Sequence, residues 1–208
     1  MWLTLVTSSS IIKDIESTRA AGLASMAYYY FDFKDTRKQD RRGLISSLLT
    51  QLCMRSHPGY NTLSKLYEAH DYGMRQPSEV DLIQCFKTVL ALPGHGKVFL
   101  IVDALDESPN KPGIPSPREK VLQLIKELVN LRHPDVRVCV TSRPEVDIRT
   151  VLEPLASHDV SLHDQAGQRS DIVNYVKSVV DSDANLRKWR RKDRQLVIDT
   201  LSQKANGM

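Results

Sequence analysis

Two periods alternate along this chain. Some stretches repeat apolar side chains every three or four positions, as Leu44, Leu48, Leu49 and Leu52 do within DTRKQDRRGLISSLLTQLC. That spacing sets one stripe on a helix. Between these stretches stand short apolar or aromatic runs bounded by turn residues, which read as strands.

Taken in order, the pattern predicts a helix from Ser8-Ser9-Ser10 to Gly22, with serines suited to the N-cap and glycine to the C-cap. LASMAYYYFDF follows as a strand ending near Phe31, then the capped helix already quoted, which Pro58 interrupts, then a helix in YNTLSKLYEAH. PSEVDLIQCFKTVLAL starts a helix at Pro77, with Val80, Ile83, Phe86 and Leu90 spaced for burial. A strand over 97–103 comes after the turn PGHG, and the proline-rich SPNKPGIPSP is an exposed loop. REKVLQLIKELVNL is an amphipathic helix, DVRVCVTSRPE a strand stopped by Pro144, and HDVSLHD a shorter strand. A helix beginning at Asp171 and a basic helix over 184–203 close the chain.

Strands that alternate with helices long enough to cross over imply an α/β fold, with a parallel sheet flanked by helices. The expected division is a core over 1–165 and the start of a helical segment over 166–208. Ligands in such folds bind at the carboxyl ends of the strands, where Asp103 and Thr141-Ser142-Arg143 stand.

Composition narrows the function classes. Hydrophobic residues make up 41% and charged residues 26% of the 208 positions, a globular balance. A net charge of +4 is too small for a dedicated nucleic-acid binder. Cys53, Cys85 and Cys139 have no CxxC spacing and read as small core residues of a reducing compartment. The six histidines form no zinc motif. No apolar run nears the roughly 18 residues that cross a bilayer, and the opening MWLTLVTSSS lacks the basic start of a signal peptide. A cytoplasmic location is the expectation.

The chemistry concentrates in KVFLIVDALDES. An apolar strand there runs into Asp103, Asp106 and Glu107. Carboxylates at the end of a buried strand are costly unless a cation meets them. An aspartate closing an apolar parallel strand is the Walker B arrangement, holding the water shell of a magnesium ion bound to nucleotide phosphates. Asp106 and Glu107 follow closely enough to polarise an attacking water. About forty residues on, VCVTSRP offers a hydroxyl and a guanidinium, at Ser142 and Arg143, where a γ-phosphate is sensed.

FLIVDALDES and VCVTSRPE resemble the Walker B and sensor 1 segments of NACHT-type STAND NTPases. The likeness is to the fungal NLR-like branch and the nephrocystin-type N-terminal domain. AYYYFDFKD, LISSLLTQL and HDVSLHDQAGQRSDIVNYV extend it over nearly the whole chain. The resemblance implies a P-loop NTPase-like fold with a following helical segment, and ATP with magnesium as cofactors. It implies a metal-binding role for Asp103, catalytic roles for Asp106 and Glu107, and nucleotide-binding roles for Ser142 and Arg143. It also implies ATP-controlled oligomerisation in signalling, with other NACHT-type domains or flanking domains of the same protein as partners.

One family motif is missing from the sequence. A Walker A loop, GxxxxGK[ST], belongs before the first helix, and MWLTLVTSSS has neither glycine nor lysine. Gly96-Lys97 is followed by Val98 and precedes a strand, so it does not serve. Losing three charge-assisted hydrogen bonds at roughly 1.5 kcal/mol each forfeits about 4.5 kcal/mol, or more than about a thousandfold in affinity. The expectation is a truncated domain, defective in ATP binding and hydrolysis, within an NLR-like protein. A weak or partner-completed ATPase and a nucleotide-independent interaction module are the alternatives. LRKWRRKDR, with Arg187, Arg190, Arg191 and Arg194 on one helical face, reads as a solvated face or a surface for a neighbouring domain. Nucleic acid or anionic lipid is the sharper alternative there.

Overall fold

The computed structural model describes residues 2–111, 115–160, 166–183 and 185–204. They form two compact units, Trp2–Ala156 and Ser157–Met208.

The first unit opens with helix α1 (Trp2–Ala20), then strand β1 (Ala24–Tyr30), α2 (Arg41–Cys53), α3 (His57–Ala69) and α4 (Glu79–Leu90). Strand β2 (Lys97–Asp103), α5 (Pro117–Asn130), β3 (Val136–Val140) and α6 (Val146–Leu152) complete it. β1, β2 and β3 make a parallel sheet with β2 in the middle. The α/β class and its flanked parallel sheet are as the apolar runs predicted.

Side chains alternate across the sheet. Ala27, Tyr29, Val98, Leu100 and Val102 face a core built with α2, α4 and α5, in which Leu44, Leu48, Phe86, Val121 and Leu124 are almost wholly buried. α1 lies against β1 and β2. Caps fix where the helices start. Asp40 accepts from Gly43 N–H at the head of α2, and Ser78/Asp81 and Ser116/Glu119 form capping boxes on α4 and α5. α1 ends in a Schellman turn: Gly22 sits at φ 70°, Leu23 N–H donates to Thr18 O and Gly22 N–H to Arg19 O.

Several expectations are corrected. α1 begins at Trp2 rather than at the serines, so Trp2–Val6 is helical. Nothing between Val6 and Ser8 breaks a helix, and a serine run is tolerated within one. On α4, Val80 is exposed, and the buried stripe is Leu82, Cys85, Phe86, Val89 and Leu90. Pro77 lies ahead of the Ser78 cap instead of inside the first turn. In HDVSLHD, His158–Val160 are not in a strand, and the rest of that segment lies outside the described residues.

The second unit holds α7 (Ala166–Ser182), a 3-10 turn over Leu186–Lys188 and α8 (Arg191–Lys204). The single basic helix expected over 184–203 is therefore two pieces. Asp183 Oδ1 accepts from Asn185 N–H and Leu186 N–H at 2.8 and 3.0 Å, which starts the 3-10 turn. Trp189 then turns extended, at φ −75° and ψ 153°, so Arg187 and Arg191 do not share one helical face. No helix among the described residues is long and apolar enough to cross a membrane.

Candidate functional site

The site lies at the carboxyl edge of the sheet, where β2 and β3 end side by side. Their register pairs Ile101 with Cys139 and Val102 with Val140, so the next pair is Asp103 with Thr141. Thr141 N–H donates to Val102 O at 2.9 Å, and Leu105 N–H donates back to Thr141 O at 3.0 Å. Period-two alternation carries the Thr141 side chain onto the face of Asp103 and sends Ser142 to the other. The Thr141 hydroxyl donates to Asp103 Oδ1 and accepts from Ala104 N–H at 3.1 Å.

Asp103 is 1% exposed. Tyr30, its cross-strand partner on β1, has its hydroxyl pKa raised by burial and then by the Asp103 charge. Burial raises the Cys139 thiol, and Asp103 adds to it. Both raised groups stay neutral beside the carboxylate.

Past Asp103 the chain turns through Ala104, which adopts the left-handed conformation at φ 54° and ψ 46°. A non-glycine residue there is strained by about 1 kcal/mol or more, and such strain gathers at functional loops. The turn aims Asp106 and Glu107 in different directions. Asp106 Oδ1 accepts the Arg143 backbone N–H at 3.0 Å, and Arg143 Nε lies 3.4 Å from Asp106 Oδ2. The Asp106 side chain is 9% exposed and that of Arg143 65%. Glu107 Oε2 accepts from Phe33 N–H, in the loop after β1, at 3.2 Å.

The sequence reading left two residues without a role of their own. Thr141, not Ser142, meets the carboxylate; the Ser142 hydroxyl donates to Arg143 O at 3.0 Å. The strand register was the signal that separates them. The second is Arg118, in the first turn of α5 and buried. Its Nε donates to Ser108 O at 2.9 Å and its Nη2 to Asp106 O at 2.6 Å, while Nη1 pairs with Asp147 Oδ2 at 3.3 Å. One guanidinium thus ties the acidic loop to the head of α6. Nothing in the helical pattern marks it, because arginine is rarely buried and the stripe rule assigns it to solvent.

Chemically, the edge holds a carboxylate of the kind that can hold a hydrated magnesium ion (Asp103), a hydroxyl that orients it (Thr141), and an exposed cation of the kind that meets phosphate (Arg143). Asp106 and Glu107 are each engaged by donors of the protein itself. No curated protein and no solved structure matches the chain. A family model described as Nephrocystin 3, N-terminal, matches residues 5–143, a span that contains the sheet and Asp103, Asp106, Glu107, Arg118, Thr141 and Arg143. With more than half its length covered, the chain belongs to the nephrocystin 3 N-terminal family.

Proposed function

We propose that this chain is a NACHT-type nucleotide-binding signalling domain whose own site is defective in ATP binding and hydrolysis. It serves as a docking unit of a larger NLR-like protein, with other NACHT-type domains or flanking domains as partners. The family match supports a domain of a larger protein. What carries the reading is the engagement of the catalytic pair: Asp106 by both donors of Arg143, and Glu107 by Phe33 N–H. A general base whose oxygens are already engaged by donors of the protein is a poorer one, and no GxxxxGK[ST] cradles phosphates in the sequence.

The test is a thermal-shift titration with magnesium-ATP beside a phosphate-release assay on wild type and Glu107→Gln. With a dissociation constant of roughly millimolar or weaker, about millimolar nucleotide stabilises by no more than a few tenths of a kcal/mol. Phosphate release stays at background in both proteins. A large magnesium-dependent shift, or release that vanishes in Glu107→Gln, overturns the reading. It would favour a partner-completed ATPase, for which the 65% exposed Arg143 is the supporting observation.

A further inference from the structure

A separate concentration of charge lies in the basic segment of the second unit. Lys188, Trp189, Arg190, Arg191 and Lys192 are consecutive and all exposed, with Trp189 at 49%. The break at Trp189 sets them across the end of the 3-10 turn and the first residues of α8 instead of around one continuous helix. Two of the three acids nearby are occupied elsewhere. Asp181 pairs with Arg194 at 3.5 Å, and Asp183 caps the 3-10 turn. Asp193 stands in the first turn of α8 and forms no ion pair among the described residues. Arg187 is folded back on Asp181 O at 2.7 Å, which leaves Lys188, Arg190, Arg191 and Lys192 without an ion pair among the described residues. Arg191 and Lys192 also sit at the end of α8 where the peptide dipoles are already positive, a placement that costs helix stability.

We propose that this turn attaches the protein to an anionic membrane surface, the four cations meeting lipid phosphates and Trp189 entering the headgroup layer. Clustered Lys and Arg gain from a negative leaflet. An indole, apolar with one N–H donor, suits the boundary between headgroup and acyl chain. Leu196 is 66% exposed and one helical turn beyond Lys192, on the same side of α8, so apolar surface continues from the cations. Nucleic acid fits less well. Single-strand binders line up several aromatics to stack successive bases, and this turn offers one.

The test is co-sedimentation of the full chain with vesicles of phosphatidylcholine alone or with about a third phosphatidylserine. The protein pellets with the anionic vesicles only, and raising salt from about 0.1 M to about 0.5 M weakens binding at least about tenfold. Lys188→Ala/Arg190→Ala/Arg191→Ala/Lys192→Ala weakens it by a similar factor, roughly tenfold or more, with helicity by circular dichroism unchanged. A second measurement leaves the turn intact. In a Trp2→Phe background, Trp189 emission shifts to the blue on anionic vesicles and is quenched by lipids labelled near the headgroup. The proposal fails if anionic vesicles do not bind or if binding survives the fourfold substitution. It also fails if single-stranded RNA displaces the protein from vesicles.

Discussion

Arg143 holds Asp106 with two different donors: its backbone N–H at 3.0 Å from Oδ1 and its guanidinium Nε at 3.4 Å from Oδ2. Their weights differ. The guanidinium is mostly in water, where such a pair contributes about 0.2–1 kcal/mol. The backbone bond reaches a carboxylate almost removed from solvent and is worth about 1.5–3 kcal/mol. Arg143→Ala keeps the backbone donor, so it destabilises by less than about 1 kcal/mol. Asp106→Ala loses both and costs about 2–3 kcal/mol. Urea unfolding of the two variants checks the order; equal losses would mean that the guanidinium carries the contact.

Thr141 and Ser142 are a matched pair of hydroxyls one residue apart, and only the first touches the carboxylate. Thr141→Val keeps the shape and strips a donor from buried Asp103 and an acceptor from Ala104 N–H, costing about 1–3 kcal/mol. Ser142→Ala stays within about 0.5 kcal/mol of wild type. Were the two costs reversed, the register of β3 would be off by one residue.

Arg118 has the largest predicted effect of any single side chain at this edge. Arg118→Ala leaves Asp106 O and Ser108 O without their buried donor and Asp147 without its cation, a loss of about 3–5 kcal/mol. Arg118→Lys recovers little, because an ammonium cannot span two carbonyls and a carboxylate with a planar fork. Chemical denaturation gives the magnitudes. A double-mutant cycle with Asp147→Asn isolates the ion pair, and a coupling near zero would assign the stability to the two carbonyls alone.

The capping box of α4 makes a prediction about acid. The Asp81 carboxyl lies below its ordinary pKa, first because of the Ser78 side-chain hydrogen bond, then the Ser78 backbone N–H, then His70. Its folded pKa is depressed. Its contribution is therefore complete above the unfolded value of about 3.9 and is lost as pH falls through the lower folded value. Thermal unfolding of Asp81→Asn should show a shallower decline than wild type below about pH 4. Parallel declines would show that the box contributes nothing to acid stability.

Much of this was legible in the sequence. FLIVD and VRVCV read as apolar strands, the first buried and the second half-buried, and their parallel pairing follows from the helix-length segments between them. Asp103, Asp106, Glu107 and Arg143 stood out because charge directly after such a run is uncommon. Illegible were the facts that depend on a neighbour. Thr141 is told from Ser142 only by register, and Arg118 is buried because three acceptors from two other segments converge on it. The break at Trp189 depends on Asp183 capping a turn, which competes with helix continuation on local hydrogen bonding alone. Val80 was misplaced because a three-to-four spacing admits two overlapping stripes, and packing against α2 and α3 sets which one faces inward.

Gln51 of α2 donates through Nε2 to Tyr28 O at 2.7 Å and accepts from Tyr28 N–H at 3.1 Å, copying with one amide what a neighbouring strand would offer. Tyr28 is in the middle of β1, and these two groups point away from β2. On β3, Arg137 Nη1 donates to the Val136 carbonyl at 3.0 Å and to Pro134 O at 2.6 Å, ahead of Val138 and Val140. Among the described residues the two margins of the sheet are thus unequal: one carries a side-chain stopper at its centre, and the other is guarded where it begins. Strand-by-strand growth of a fibril needs every copy to offer a receiving margin on both sides. A sheet stoppered on one side can join one neighbour and no more. Whatever strand-mediated self-association this protein undergoes should end at pairs, and replacing Gln51 with alanine is the change that would let it run on.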